Sequence, residues 1–135
     1  MNGKERILAR LRGESTDSLP LMPITMMYAG DLIGQPYRAY ATDYRVLAEG
    51  QLRTAERFDF DYVSAISDPA REASDLGAAV EWFDNQPPAI IESRALIADK
   101  ATLDSLALPD PESPGRMQDR VQAVRLLAER AGTDK

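Results

Sequence analysis

Tyr62-Val63-Ser64-Ala65-Ile66, entered through Phe58-Asp59-Phe60-Asp61 and stopped by Ser67-Asp68-Pro69, is the stretch on which the fold turns. Its aromatic and β-branched residues suit a short strand over 62–66, and Pro69 cannot continue a central ladder. A second apolar run lies upstream, Pro23-Ile24-Thr25-Met26-Met27-Tyr28. Pro20 and Pro23 bar a helix at its start, and the run after Pro23 is too short for one. It does not alternate, so it reads as a strand over 23–28 with both faces covered, ended by a loop at Ala29-Gly30-Asp31. Between the two runs, Tyr44, Leu47, Ala48, Gln51, Leu52, Ala55 and Phe58 recur at three- and four-residue steps. That spacing predicts a helix over 43–57, capped by Thr42 or Asp43. Strand, helix and strand make a βαβ unit with parallel strands and a right-handed crossover.

Outward from this unit, Ile7, Leu8 and Leu11 share a face of a leading helix over 3–12, with Gly13 as its stop. After Pro69, the stretch 72–76 is short and polar. Arg71-Glu72 and Asp75 read there as an exposed surface, where single ion pairs contribute little. Ala79-Val80-Glu81-Trp82-Phe83 and Ala89-Ile90-Ile91-Glu92-Ser93 flank a polar, proline-bearing stretch and predict a hairpin. A brief helix over 99–106 and a rigid connector, Pro109-Asp110-Pro111-Glu112-Ser113-Pro114, follow. Ser113 is placed to cap a last helix with Pro114 at its first position. That helix carries Met117, Val121, Val124, Leu127, Ala128 and Ala131 on one face. An α/β rhythm calls for a strand next, and Gly132-Thr133-Asp134-Lys135 offers none. Two strands cannot cover three amphipathic helices, so the chain is expected to be the front of a larger fold.

The 135 residues include 16 Lys+Arg and 22 Asp+Glu, a formal charge of −6, with 44% hydrophobic residues and neither His nor Cys. No His or Cys means no Ser-His-Asp or Cys-His nucleophile system, no imidazole or thiolate metal site and no disulfide. The acidic balance and the lack of a basic cluster argue against nucleic acid and anionic membrane surfaces as partners. No apolar run approaches the ~18 residues of a membrane span. The N-terminus lacks the apolar stretch of a secretory signal, so a cytoplasmic location is expected.

A family pattern runs through the same residues. Lys4-Glu5-Arg6 opens the first helix. Leu19-Pro20-Leu21-Met22-Pro23, Tyr28-Ala29-Gly30, Tyr40-Ala41-Thr42-Asp43, and Phe58-Asp59-Phe60-Asp61-Tyr62-Val63 follow. Ser67-Asp68 and Glu72-Ala73-Ser74-Asp75-Leu76-Gly77-Ala78 complete the order. In order and spacing the chain resembles the N-terminal portion of the uroporphyrinogen decarboxylase superfamily, which also contains corrinoid (cobalamin)-dependent methyltransferases. The resemblance implies an α/β fold, the N-terminal part of a (β/α)8 TIM barrel with a β-hairpin insertion. A complete barrel needs ~250 residues or more. Residues 1–135 would then form one partial barrel domain: leading helix, strands one and two, hairpin, and the helix before strand three.

The true decarboxylases carry a Met-Arg-Gln-Ala-Gly-Arg loop after the first strand, whose arginines hold substrate carboxylates. Here the loop is Met26-Met27-Tyr28-Ala29-Gly30-Asp31, with Met27 and Asp31 where the arginines would stand. An Asp repels a carboxylate that an Arg fork would bind. The resemblance therefore implies the methyltransferase branch, moving a methyl group between a corrinoid and a thiol or related acceptor. That branch uses zinc held by His and Cys of the later barrel, so no cofactor is expected on this chain alone. The implied partners are the rest of the barrel, a corrinoid protein and a tetrapyrrole-like ligand. Trp82-Phe83 could mark the interface with a corrinoid protein, or simply pack the hairpin onto the barrel.

The candidate catalytic residue is Asp68, at the C-terminal end of the second strand, where barrel enzymes place their chemistry. By resemblance its carboxylate would hydrogen-bond pyrrole N–H groups; the alternative is a carboxylate that turns the chain before Pro69. Met27, Tyr28 and Asp31 are the candidate substrate-binding residues. Met packs adaptably on conjugated rings, while strand core and a solvated loop carboxylate are their other readings. No residue is a candidate metal ligand. Uroporphyrinogen decarboxylation is the second enzymatic reading, and a split-barrel subunit or assembly module the non-enzymatic one. The chain alone is expected to be inactive.

Overall fold

A computed structural model of the chain describes residues 1–132. Its elements, in order, are α1 (Gly3–Leu11), α2 (Met26–Leu32), α3 (Tyr37–Thr42), α4 (Tyr44–Phe58) and α5 (Arg71–Asp75). Strands β1 (Val80–Glu81) and β2 (Ala89–Ile90), a 3-10 turn at Glu92–Arg94, α6 (Lys100–Asp104) and α7 (Arg116–Ala131) complete them. The result is a helix-rich α/β arrangement. Among the described residues no helix is long and apolar enough to cross a membrane.

Helix α4 forms where its spacing predicts. Asp43 caps it by accepting the Arg45 N–H (2.9 Å), and Asp59, at φ 53, ends it in the left-handed region. Leu47, Ala48, Thr54 and Ala55 are buried along its inner face. Helix α1 also forms, with a capping box between Asn2 and Glu5 that satisfies two of its free N–H groups. Arg6 ties α1 to Asp17 and to the buried Asp61, which also accepts the Leu21 N–H (2.7 Å).

The strand expected over 23–28 is corrected by the structure. The chain is not helical up to Thr25, reverses at Met26 with φ 28, and then enters α2. The apolar pattern does not stop at Tyr28: Met26, Ala29, Gly30 and Ile33 fall at helical spacing. Ala29 and Gly50 let α2 lie directly on α4, where a Cβ on Gly50 would sit 2.6 Å from the Ala29 carbonyl oxygen, while Gly30 faces Tyr40 of α3. The expected loop at Ala29-Gly30-Asp31 is therefore the middle of that helix.

The parallel ladder between the two strands is likewise not formed. The single sheet among the described residues is the antiparallel pair β1–β2, with Val80 opposite Ile90 and Glu81 opposite Ala89. Segments 21–25 and 62–66 do lie side by side, joined by Asp61 N–H to the Leu21 carbonyl (3.0 Å) and the Tyr62 hydroxyl to the Pro23 carbonyl (2.7 Å). Two causes limit their pairing. Pro23 removes an N–H donor from the first segment, and the Ser64 N–H is given to the Gln51 side chain (3.3 Å). Nor is the first segment covered on both faces, since Ile24 is 67% exposed.

The core is built from helices: Ala29, Tyr37, Tyr40, Ala41, Leu47, Ala48, Ala123 and Leu127, with Val63 and Ala65 of the second segment packed against it. Helix α3, which the sequence reading did not anticipate, supplies its two tyrosines. Helix α7 starts at Arg116 and not at Ser113–Pro114, and Ser113 instead bonds Asp110 (3.1 Å). Its buried face is Ala123 and Leu127, whereas Val124 points outward. Of the expected C-terminal segment 132–135, residues 133–135 lie outside the described residues.

Candidate functional site

Asp68 ends the second segment and is buried. Its Oδ1 accepts the Ala70 N–H (3.1 Å) and Arg116 Nη1 (2.9 Å). Its Oδ2 accepts Arg116 Nη2 (2.7 Å) and the Ser67 hydroxyl (2.6 Å). A carboxylate has about four acceptor sites, so every one is in use. Burial pushes the Asp68 carboxyl upward, but the hydrogen bonds from Arg116 and Ser67 and the nearby cations outweigh it and hold the group below its ordinary value. Asp68 is thus an ionised, fully partnered carboxylate that also turns the chain.

Behind it, Arg71 is completely buried. Its Nε and Nη2 donate to Ser67 Oγ (3.1 and 2.7 Å), and Nη2 also reaches the Ala41 carbonyl (3.3 Å). Its Nη1 donates to the Arg116 carbonyl (2.7 Å) and Asp119 Oδ2 (3.1 Å). All five N–H groups are committed. Burial lowers its pKa, opposed by the hydrogen bond to Asp119. Asp119 in turn accepts the Tyr44 N–H at the start of α4 (2.8 Å). Two cations and two carboxylates, Arg71, Arg116, Asp68 and Asp119, therefore lock the ends of segment 62–66, α4 and α7 together. The expectation of an exposed surface at Arg71 and Asp75 is corrected. Arg71 is interior, and Asp75 caps α7 through the N–H groups of Arg116 (2.9 Å) and Met117 (2.6 Å).

The tyrosines of α3 brace the segment from the other side. The Tyr37 hydroxyl donates to the Ser67 carbonyl, and Tyr40 donates to that of Ile66 (3.0 Å). Gln51 Nε2 donates to the Tyr40 hydroxyl (2.7 Å) and to Thr25 Oγ1 (3.0 Å), so one amide spans both extended segments. Burial pushes Tyr37 well up and Tyr40 up to about 12, which keeps both phenols neutral.

Trp82, beside β1, lies under the Arg116 guanidinium (4.8 Å to the ring centroid) and beside Arg38 (5.7 Å). The hairpin is thereby held over Asp68's partner.

Met27, Tyr28 and Asp31 are not brought to this network. All three lie exposed on α2, and the Tyr28 ring packs 5.9 Å from Phe58, the last residue of α4. The Asp68 network meets the first residue of α4, Tyr44, through Asp119. A helix of 15 residues spans about 22 Å, so the two groups occupy opposite ends of α4. The sequence reading missed Arg71, Arg116, Asp119, Tyr37 and Gln51. The available signal was Arg71 four residues after Ser67, across the turn that Asp68 makes by accepting the Ala70 N–H.

The described residues contain no group of three or more His, Cys, Asp or Glu that could hold a metal ion. With no His or Cys in the chain, the donor set does not fit a zinc ion that activates a thiol.

The family model of uroporphyrinogen decarboxylase (URO-D) matches residues 2–135. A solved structure, a methyltransferase from Methanosarcina mazei, superposes with a TM-score of 0.70 at 21% identity, over 99% of this chain and 40% of that one. The chain thus spans two-fifths of that neighbour and shares the fold of the matched part. No curated protein matches. The chain belongs to the uroporphyrinogen decarboxylase (URO-D) family.

Proposed function

We propose that residues 1–135 form the front of a barrel enzyme of the methyltransferase branch, one that moves a methyl group between a corrinoid and a thiol or related acceptor. The observation that carries this reading is the acceptor set of Asp68. A carboxylate that positions a tetrapyrrole through its pyrrole N–H groups needs free lone pairs. Arg116, Ser67 and Ala70 take all of them here. Helix α2 supports the same reading, since its one charged residue is Asp31, which repels the carboxylate arms of uroporphyrinogen. Methyl transfer requires neither a free pyrrole acceptor nor a cationic α2.

In this reading the charged group presented at the end of segment 62–66 is the Asp68–Arg116 pair. Met27 and Tyr28 form a separate apolar contact surface on α2. Zinc would be held by the later part of the barrel, as this chain has no His or Cys, and the corrinoid would be brought by a corrinoid protein. The remaining barrel strands would cover the exposed Leu21, Met22, Ile24 and Ile66.

The test pairs this chain with a polypeptide that completes the barrel. The reconstituted protein is assayed with methylcobalamin and a thiol, and separately with uroporphyrinogen. Methyl transfer without coproporphyrinogen is expected. Robust coproporphyrinogen formation by the unmodified protein, matched or exceeded by a Met27→Arg, Asp31→Arg variant, would restore the decarboxylase reading.

A further inference from the structure

Within the Asp68 network one cation differs from the other. Arg71 is wholly buried and has no uncommitted N–H. Arg116 retains slight exposure, leaves Nε without a partner, and divides its guanidinium among three neighbours on three elements. Its Nη1 and Nη2 hold Asp68, Nη2 also reaches the Ala41 carbonyl (2.8 Å), and its face lies on Trp82. The second anchor of the hairpin is weaker. Arg38 donates its backbone N–H to the Asp84 carbonyl (2.9 Å), but its exposed side chain makes only a long ion pair with Asp84 (3.8 Å) and a more distant contact with the Trp82 ring than Arg116 does (5.7 against 4.8 Å).

We propose that Arg116 is a positioning residue that latches the Trp82 hairpin to the end of segment 62–66 through Asp68, so that loss of the Asp68–Arg116 pair also releases the hairpin. The physical basis is a shared guanidinium. The bidentate pair fixes the plane of Arg116, and that plane is the surface on which the indole rests. Neutralising Asp68 frees Arg116 to rotate, and Trp82 loses its flat support. Arg71 cannot replace it, because its donors are committed to Ser67, Asp119 and two carbonyls.

The charged and titratable groups facing Asp68 are Arg116 from α7, Arg71 from α5 and Tyr37 from α3. Asp119 and Asp75 stand behind the two arginines. The latch rests on the proposed function only in what the released hairpin would expose to a ligand, and its test needs no activity.

Trp82 is the one tryptophan of the chain, so its emission reports the hairpin directly. In the full chain, Asp68→Asn and Arg116→Met are expected to red-shift Trp82 emission and raise its quenching by acrylamide, with helix content retained by circular dichroism. Arg116→Lys keeps the charge without the fork, and it is expected to fall between wild type and Arg116→Met. Should these variants fail to fold, acid titration of the wild type decides. The Trp82 transition should coincide with protonation of Asp68, followed by its carboxyl carbon resonance, ahead of global unfolding. A Trp82 signal that changes only with global unfolding, or that stays unmoved in folded Asp68→Asn, overturns the latch and leaves the methyltransferase reading untouched.

Discussion

The carboxylate of Asp75 occupies the space that a side chain at Gly115 would need: a Cβ there would lie 2.8 Å from Asp75 Oδ2. From that position Asp75 accepts the first N–H groups of α7. The helix start is thus capped by a residue of α5 and not by its own neighbours, which explains why it begins after Gly115 and not at Ser113.

Gly115→Ala should push Asp75 off the N-terminus of α7. The expected loss is about 1–2 kcal/mol, the range for removing a good cap. Urea unfolding should show a lower midpoint, with Asp75→Ala giving a similar loss and the double variant little more than either. Full additivity of the two would argue that they act independently.

Gly50→Ala brings a methyl group to 2.6 Å from the Ala29 carbonyl and forces α2 away from α4. Overpacking of this kind costs about 1–3 kcal/mol. Urea midpoints should fall accordingly, and hydrogen exchange should quicken in α2 more than in α7. Uniform exchange across both helices would contradict a local separation.

Arg71→Met leaves Asp119 and Ser67 without their buried donor. Removing one partner of a buried ion pair costs about 3–5 kcal/mol, so this should be among the most damaging single changes in the chain. Arg71→Lys should rescue little, because an ammonium cannot reach Ser67, Asp119 and two carbonyls at once. A stability loss as small as that of an exposed ion pair would refute the assignment.

Stability should fall at both ends of the pH range, for opposite reasons. Asp68 is held below its ordinary value of 3.8, so its contribution is present above that value and is lost as pH falls through the folded one. Asp68→Asn should flatten the acid limb of a stability–pH profile. Tyr40 is raised from 10.0 to about 12, so its contribution is present below 10.0 and is lost as pH rises toward 12. Tyr40→Phe should flatten the alkaline limb, at the expense of the bonds to Gln51 and Ile66. An unchanged acid limb in Asp68→Asn would place the acid sensitivity elsewhere.

Local signals in the sequence were sufficient for α1, α4, α6, the hairpin and the family pattern. Each depends on neighbours in the chain: a capping Asp43 or Asp99, helical spacing from Tyr44 to Phe58, and two apolar runs around Pro87-Pro88. The Ser67-Asp68 stop was equally legible, and so was Asp68 as the residue to examine. Its partners were not. Arg116 lies 48 positions away in sequence and reaches Asp68 only because α7 packs back along α4. Arg71 reads as a surface cation, since periodicity says which face a residue takes but not what that face meets. Helix α2 was misread for a related reason. An apolar run bounded by prolines suits either a strand or a helix entrance, and contact between Gly50 and Ala29 selects the helix. What the sequence by itself determined was therefore α1, α4, α6, the hairpin and the family. The tertiary structure alone decided which charges are buried together, because that depends on long-range packing that no local pattern encodes.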